Sequence, residues 1–141
     1  MINGVIITPL KIISTPRGDV FHAMKKSDEG FKDYGEAYFS EIRPNEIKAW
    51  KRHRRMTLNL IVPHGQVRFV LADLKENSQQ SFQEIILSRQ NYCRLTIPPM
   101  IWFGFQGISK TTSLVLNIAD LMHDSEEVDR INILDLKFDW T

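Results

Sequence analysis

The most chemically loaded stretch of the sequence is Lys51-Arg52-His53-Arg54-Arg55, a single imidazole among four cationic side chains with Trp50 at its edge. Imidazole is the side chain that changes charge nearest neutral pH, which suits it to accept and return protons. In an extended chain alternate residues face opposite ways. Lys51, His53, Arg55, Thr57 and Asn59 then share one face, with Trp50, Arg52, Arg54, Met56 and Leu58 on the other. The first set is too polar for a dry core. Turned toward the interior of an open barrel, it lines a cationic pocket for an anionic ligand, with His53 as a general base. Two other readings of the run stay open. It could be a solvated edge strand whose cations discourage aggregation, or a basic patch with an edge aromatic for nucleic acid or phosphates.

Three further segments bear on chemistry. In Thr96-Ile97-Pro98-Pro99-Met100-Ile101-Trp102-Phe103-Gly104-Phe105 the aromatics are either the apolar wall of a cleft or ordinary core. The two prolines hold the entry to that segment extended under either reading. Arg17-Gly18-Asp19 presents a guanidinium on a turn, or is a plain hairpin connection. Asp120, His123, Asp124, Glu126, Glu127 and Asp129 crowd together in sequence without the convergence that metal ligation needs, and read as a solvated loop and helix start. His22, His53, His64 and His123 are too widely spaced for a cluster of two histidines and an acid. No bound metal is expected.

The elements that must position these residues are mostly strands. β-branched and aromatic runs at residues 5–13, 20–25, 36–42, 46–55, 58–62, 66–73, 82–87, 92–97, 101–105 and 111–118 are separated by turn residues such as Thr15-Pro16-Arg17-Gly18, Arg43-Pro44-Asn45 and Pro63-His64-Gly65. Residues 26–35 read as a charged loop, and residues 75–81 as a polar turn. Strand signals at this spacing predict an all-β sandwich or barrel. Only residues 125–130 suggest a helical turn, with Ser125 as N-cap and acids in the first turn. No repeat or linker divides the chain, so residues 1–141 are expected to form one domain.

Composition sets the outer limits. The 141 residues are 43% hydrophobic and 25% charged, ordinary for a globular chain and unlike disordered or fibrous ones. Eighteen Lys and Arg against seventeen Asp and Glu leave a net charge of +1, which argues against a general nucleic-acid binder. Cys93 is the only cysteine, so an intrachain disulfide and a thiolate zinc site are excluded. The apolar start is interrupted by Asn3, Gly4, Pro9 and Lys11 and has no basic leader region. No apolar run reaches the roughly 18–20 residues of a membrane helix. The expected location is the cytoplasm.

The early arginine turn Arg17-Gly18-Asp19-Val20-Phe21 is followed by the histidine run at 51–55. Next come the strand, glycine turn and strand of residues 61–73, Ile97 to Phe105, Ile118-Ala119-Asp120 and the closing Phe138-Asp139-Trp140. This order resembles the small cupins related to dTDP-4-dehydrorhamnose 3,5-epimerase and to the dTDP-4-keto-6-deoxyglucose ketoisomerases, over nearly the whole chain. The resemblance implies a cupin jelly-roll β-sandwich, a homodimer, and a nucleotide-linked 4-keto sugar as ligand. No cofactor is implied, because the ketone is itself the electron sink. His53 falls on the family's catalytic histidine. Asp135, or else Asp129, would orient it. Lys51 or Arg55 would steady the enolate, and Arg17 would bind diphosphate. The pocket would be lined by Lys51, His53, Arg55 and Asn59, with Trp102 on an adjacent wall and Tyr38 and Ser40 from the neighbouring strand. Leu116 stands where the family has its tyrosine acid, Leu58 and Asn59 where it has a lysine, and Phe103 where its second motif has a histidine. A non-catalytic cupin that binds a sugar or nucleotide sugar is the alternative.

Overall fold

In the computed structural model, which describes residues 2–74 and 80–141, regular structure is almost entirely β. The polar turn expected at residues 75–81 lies, but for its last two residues, outside the described part. In chain order the strands are β1 (Ile6–Pro9), β2 (Ile12–Ile13), β3 (Val20–Phe21), β4 (Glu36–Ile42), β5 (Ile47–His53) and β6 (Leu58–His64). They continue with β7 (Gln66–Asp73), β8 (Ser81–Ser88), β9 (Cys93–Ile97), β10 (Trp102–Gly107), β11 (Ser113–Ala119) and β12 (Val128–Arg130). Two five-stranded sheets form, in the orders β1-β9-β6-β11-β4 and β12-β5-β10-β7-β8, beside a small β2-β3 hairpin. Every ladder between these strands is antiparallel. This is the jelly-roll sandwich that the sequence led us to expect.

The core lies between the two sheets. Leu58, Leu60 and Val62 of β6, Val115 of β11 and Leu95 and Ile97 of β9 face Phe69 and Leu71 of β7 and Phe103 of β10. Full burial of each such side chain is worth roughly 1.5–3 kcal/mol. On β11 the alternation is complete, with Ser113, Val115, Asn117 and Ala119 buried and the residues between them partly exposed. β6 departs from alternation, being buried from Leu58 to Val62, because a second layer covers the outer face of its sheet. Arg94, fully buried, donates from its guanidinium to the carbonyl oxygens of Ala23 (2.8 Å) and Glu29 (3.0 Å) and to the Asp28 carboxylate (3.1 Å). It thereby straps the expected loop of residues 26–35 across that face.

A second apolar cluster covers the outer face of the other sheet. Trp50, Val70, Ala72 and Trp102 meet Leu136 and Trp140 of the tail, with Phe82 and Phe138 against them. Trp50 Nε1 donates to the Ile133 carbonyl oxygen at 3.1 Å, which fixes the last turn of chain to β5.

Some boundaries differ from the sequence reading. The run at 5–13 splits into β1 and β2, and β3 stops at Phe21. In the tail the helical turn is only a 3-10 turn, Ser125–Glu127, capped by the side chain of Asp124 rather than by Ser125. Val128–Arg130 is a strand instead, because its backbone completes the free edge of β5.

Candidate active site

The site is built where β5 ends. His53 lies between β10, whose Met100 flank donates its N–H to the His53 carbonyl oxygen at 2.7 Å, and β12, whose Val128 is its register partner. The Arg54 N–H donates to the Glu127 carbonyl oxygen at 2.7 Å, so the 3-10 turn is held against the same corner. Glu127, only 2% exposed, therefore reaches His53, which is 5% exposed. Its Oε1 accepts from His53 Nδ1, while Oε2 accepts the backbone N–H groups of Arg55 (3.1 Å) and Met56 (3.2 Å). With the Nδ1 proton committed to the carboxylate, Nε2 carries the free lone pair. It has no hydrogen-bond partner among the described residues.

Electrostatics keep that lone pair available. Burial pushes the His53 pKa below the ordinary histidine value; the hydrogen bond and charge of Glu127 oppose this, and the positive charges of Lys51 and Arg130 add to it. Burial pushes the Glu127 carboxyl upward, but the hydrogen bonds from His53 and from the N–H groups of Arg55 and Met56 outweigh it, and the net pKa is below the ordinary glutamate value. Burial also lowers the Lys51 ammonium, helped by the like charges of Arg130 and Lys48 and opposed by Glu127. The pair is thus a neutral imidazole on a carboxylate, beside a lysine that can shed its proton more readily than usual.

From this corner a cavity of about 460 Å³ opens between the sheets. One wall carries Tyr38, Ser40, Leu58, Leu60, Val115 and Asn117; the other carries Lys48, Lys51, Phe103 and Phe105, with Arg130 and Ile131 closing the side. His53 is not itself part of the lining. It stands behind Phe103, the two rings stacked with centroids 6.2 Å apart, and Lys51 Nζ lies 5.8 Å from the centre of the same Phe103 ring. Lys48, Lys51 and Arg130 bring positive charge to the lining and, among the described residues, no carboxylate joins them.

Of the residues singled out from sequence, the fold brings His53, Lys51, Tyr38 and Ser40 to this region. It sends the others elsewhere. The face expected from Lys51 through Asn59 is broken, because β5 ends at His53 and the chain bends at Arg54 and Arg55 before β6 begins. Asn59 therefore points to the strap side, donating to the Gly30 carbonyl oxygen at 3.2 Å and accepting from Thr96 Oγ1 at 2.6 Å. The Arg55 side chain is exposed and pairs with Asp124 at 3.4 Å. Trp102 lies in the outer cluster under the Arg52 guanidinium, 4.7 Å from its ring centre, since Phe103 and Phe105 take the inward positions of β10. Arg17 sits on the exposed turn before β3, outside the cavity lining. Asp135 belongs to a second 3-10 turn, Ile133–Asp135, and caps it by accepting from the Asn132 N–H at 2.7 Å, and Glu127 has the place foreseen for it.

Sequence reasoning passed over Glu127, Asn117 and Arg130. The available signal was an acid immediately before a strand able to pair with β5, and linear crowding of six ionisable residues hid it. Asp129 has a different task. Its Oδ2 accepts from Arg52 Nε (3.1 Å) and Nη2 (2.7 Å), and its Oδ1 from Arg54 Nε (3.0 Å) and Nη2 (2.7 Å). Two cations of the basic run are thereby paired internally. Among the described residues no cluster of three or more His, Cys, Asp or Glu is placed to hold a metal ion, and no helix is long and apolar enough to cross a membrane.

Comparison with known proteins places this site in context. No family model matches the sequence. The chain is 36% identical to a dTDP sugar isomerase of Desulfovibrio desulfuricans G20, whose crystal structure superposes with a TM-score of 0.92 over 98% of this chain and 91% of that one. It is 26% identical over 136 residues to a probable low-salt glycan biosynthesis epimerase of Haloferax volcanii, covering 94% of this chain and 87% of that protein. The fold also matches a sugar 3,4-ketoisomerase of Thermoanaerobacterium thermosaccharolyticum, crystallised in complex with TDP, with a TM-score of 0.75, 19% identity and coverage of 95% and 93%.

Proposed function

The chain belongs to the cupin family of dTDP-sugar epimerases and isomerases, and from that premise we propose that His53 is the general base of an isomerisation of a dTDP-4-keto-6-deoxyhexose. The observation that carries this reading is the unpartnered, buried Nε2 of a histidine whose Nδ1 proton is held by Glu127. A hydrogen on the carbon next to a ketone is acidic because the electron pair left behind spreads onto the carbonyl oxygen. For Nε2 to take that proton the Phe103 ring beside it has to turn aside and open His53 to the cavity; the C–H pair then becomes the C=C of an enolate, and the C=O pair moves to oxygen. Glu127 steadies the imidazolium so formed. Lys51 supplies the fixed positive charge for the enolate oxygen, and its lowered pKa lets it share a proton with that oxygen. Return of a proton to the same carbon from the other face gives an epimer; return to the former carbonyl carbon, with the proton of the adjacent C3 hydroxyl passing to the C4 oxygen, gives a ketoisomer. The ketone is the electron sink in either case, so the step calls for no redox partner.

The cations of the lining suit the diphosphate of such a substrate. Lys48 and Arg130 take this role, since Arg17 of the same chain is outside the cavity. A homodimer belongs to the same reading, with the edge strand β4 and its exposed Phe39 as the surface to examine by sedimentation.

The test is proton NMR of the protein with dTDP-4-keto-6-deoxyglucose in deuterated water. Deuterium entering at C3 or C5, lost in His53→Asn with the fold intact, is expected. Exchange that persists in His53→Asn overturns the assignment of the base.

A further inference from the structure

We propose that Asn117 and Tyr38 together read the C2 hydroxyl of the sugar, so that the enzyme takes 2-hydroxy 4-keto sugars and rejects their 2-deoxy counterparts. The inference rests on the function proposed above and specifies its substrate class. Val115 and Asn117 are the β11 residues that line the cavity, and Asn117, only 3% exposed, is an amide on the wall that also carries the apolar Leu58, Leu60 and Val115. Its Nδ2 donates to the Tyr38 hydroxyl at 3.1 Å, across the register pair that joins β11 to β4. Its Oδ1 has no partner among the described residues. A buried acceptor left empty costs stability, so its persistence on a cavity wall points to a donor that arrives with the ligand.

The chemistry of the pair narrows that donor. Lys48, Lys51 and Arg130 are donors, but none of them lies within hydrogen-bond distance of Asn117 Oδ1. The Tyr38 oxygen accepts from Asn117 and keeps its own O–H to give. Side by side the two residues offer one acceptor and one donor, which matches a hydroxyl that donates to Oδ1 and accepts from Tyr38. A ketone or a phosphate oxygen accepts only and would leave Oδ1 empty. In a 4-keto-6-deoxyhexose linked through C1, free hydroxyls remain at C2 and C3. The C3 position changes when the carbons flanking the ketone react, whereas C2 keeps its hydroxyl in one place through the whole reaction. A rigid pair on two adjacent strands is suited to the group that does not move.

The experiment compares kcat/KM for dTDP-4-keto-6-deoxyglucose and dTDP-4-keto-2,6-dideoxyglucose in the wild type, Asn117→Leu and Tyr38→Phe. A site that hydrogen-bonds a substrate hydroxyl discriminates strongly against the analogue lacking it, so a wild-type preference of about 100-fold or more for the 2-hydroxy sugar is expected. Asn117→Leu should bring the ratio below about 5, chiefly by slowing the 2-hydroxy sugar, and Tyr38→Phe should cut it roughly tenfold. Should Asn117→Leu fail to fold, Tyr38→Phe decides, because it removes only a hydroxyl at the cavity mouth. A wild-type ratio near 1, or an unchanged ratio in the variants, overturns the inference while solvent exchange into both sugars leaves the proposed function standing. Absence of exchange into either sugar overturns both.

Discussion

His53 Nδ1 and Glu127 Oε1 form a buried hydrogen bond between residues 74 positions apart in the chain. It exists because β12 pairs with β5 and carries Glu127 to the end of the histidine's strand. The carboxylate does three things at once. It fixes the tautomer, aims Nε2, and ties the Arg55–Met56 bend that ends one sheet and starts the other.

Replacing Glu127 by Gln keeps the shape and removes the charge. We expect kcat to fall by a factor on the order of 10²–10⁴, as when a histidine loses its orienting carboxylate, with KM changed much less. Steady-state kinetics on the exchange reaction check this. A kcat within a factor of about 3 of wild type would remove Glu127 from the mechanism.

The pH dependence follows from the direction of the His53 shift. Its folded pKa lies below the ordinary value of about 6.5, so the acid limb of kcat/KM should fall below pH 6.5. In the unfolded chain the same histidine binds its proton near the ordinary value. Its contribution to stability is therefore complete above that value and declines as pH falls through to the folded one. Glu127 has the same sign at lower pH, in the carboxylate range. Lys51→Met removes a like charge from beside the imidazole, so the acid limb should move to higher pH while kcat drops. A limb that stays fixed in Lys51→Met contradicts the electrostatic account.

Much of the fold is legible in the sequence, because β4 and β7 coincide with the strand-like runs bounded by turn residues at 36–42 and 66–73. The site is legible only in part. Period-2 reasoning groups Lys51 with Asn59 as if one strand joined them, and a bend at Arg54 and Arg55 resets the faces. Trp102 and Phe103 alternate as expected, yet alternation alone does not tell the cavity side from the side that the tail covers. The tail is hardest to read. Which of Glu126, Glu127, Asp129 and Asp135 meets His53 is decided by a three-residue strand whose pairing partner is more than 70 residues away, and no local pattern encodes that.

Arg94→Met tests the layer that closes the outer face of the β6 sheet. The arginine is fully buried and holds two carbonyl oxygens and the Asp28 carboxylate. Methionine fills part of the volume and satisfies none of them. A loss of about 3 kcal/mol or more is expected in urea unfolding, with early proteolytic cleavage near residues 26–35. A variant as stable as wild type would mean that the strap is held by Asn59 and Thr96 without it.

Asp129 separates register from chemistry. Hydrogen bonds and charge from Arg54 and Arg52 push its carboxyl to about 2, so the double clamp is complete above the ordinary aspartate range and is lost as pH falls toward that value. The clamp lies on the outside of the β5–β12 pair. On the inside, the same pairing sets Val128 beside His53 and Arg130 beside Lys51. Asp129→Asn keeps the size and weakens both ion pairs, so the β12 edge should open more often. Amide hydrogen exchange should then accelerate at Arg54 and Ile131, whose N–H groups bond across this seam, while Phe69 in the core keeps its protection. Because Glu127 and Arg130 ride on the same segment, kcat/KM should fall about tenfold as the seam frays. Faster exchange with undiminished kcat/KM would show that Glu127 holds His53 without help from the clamp.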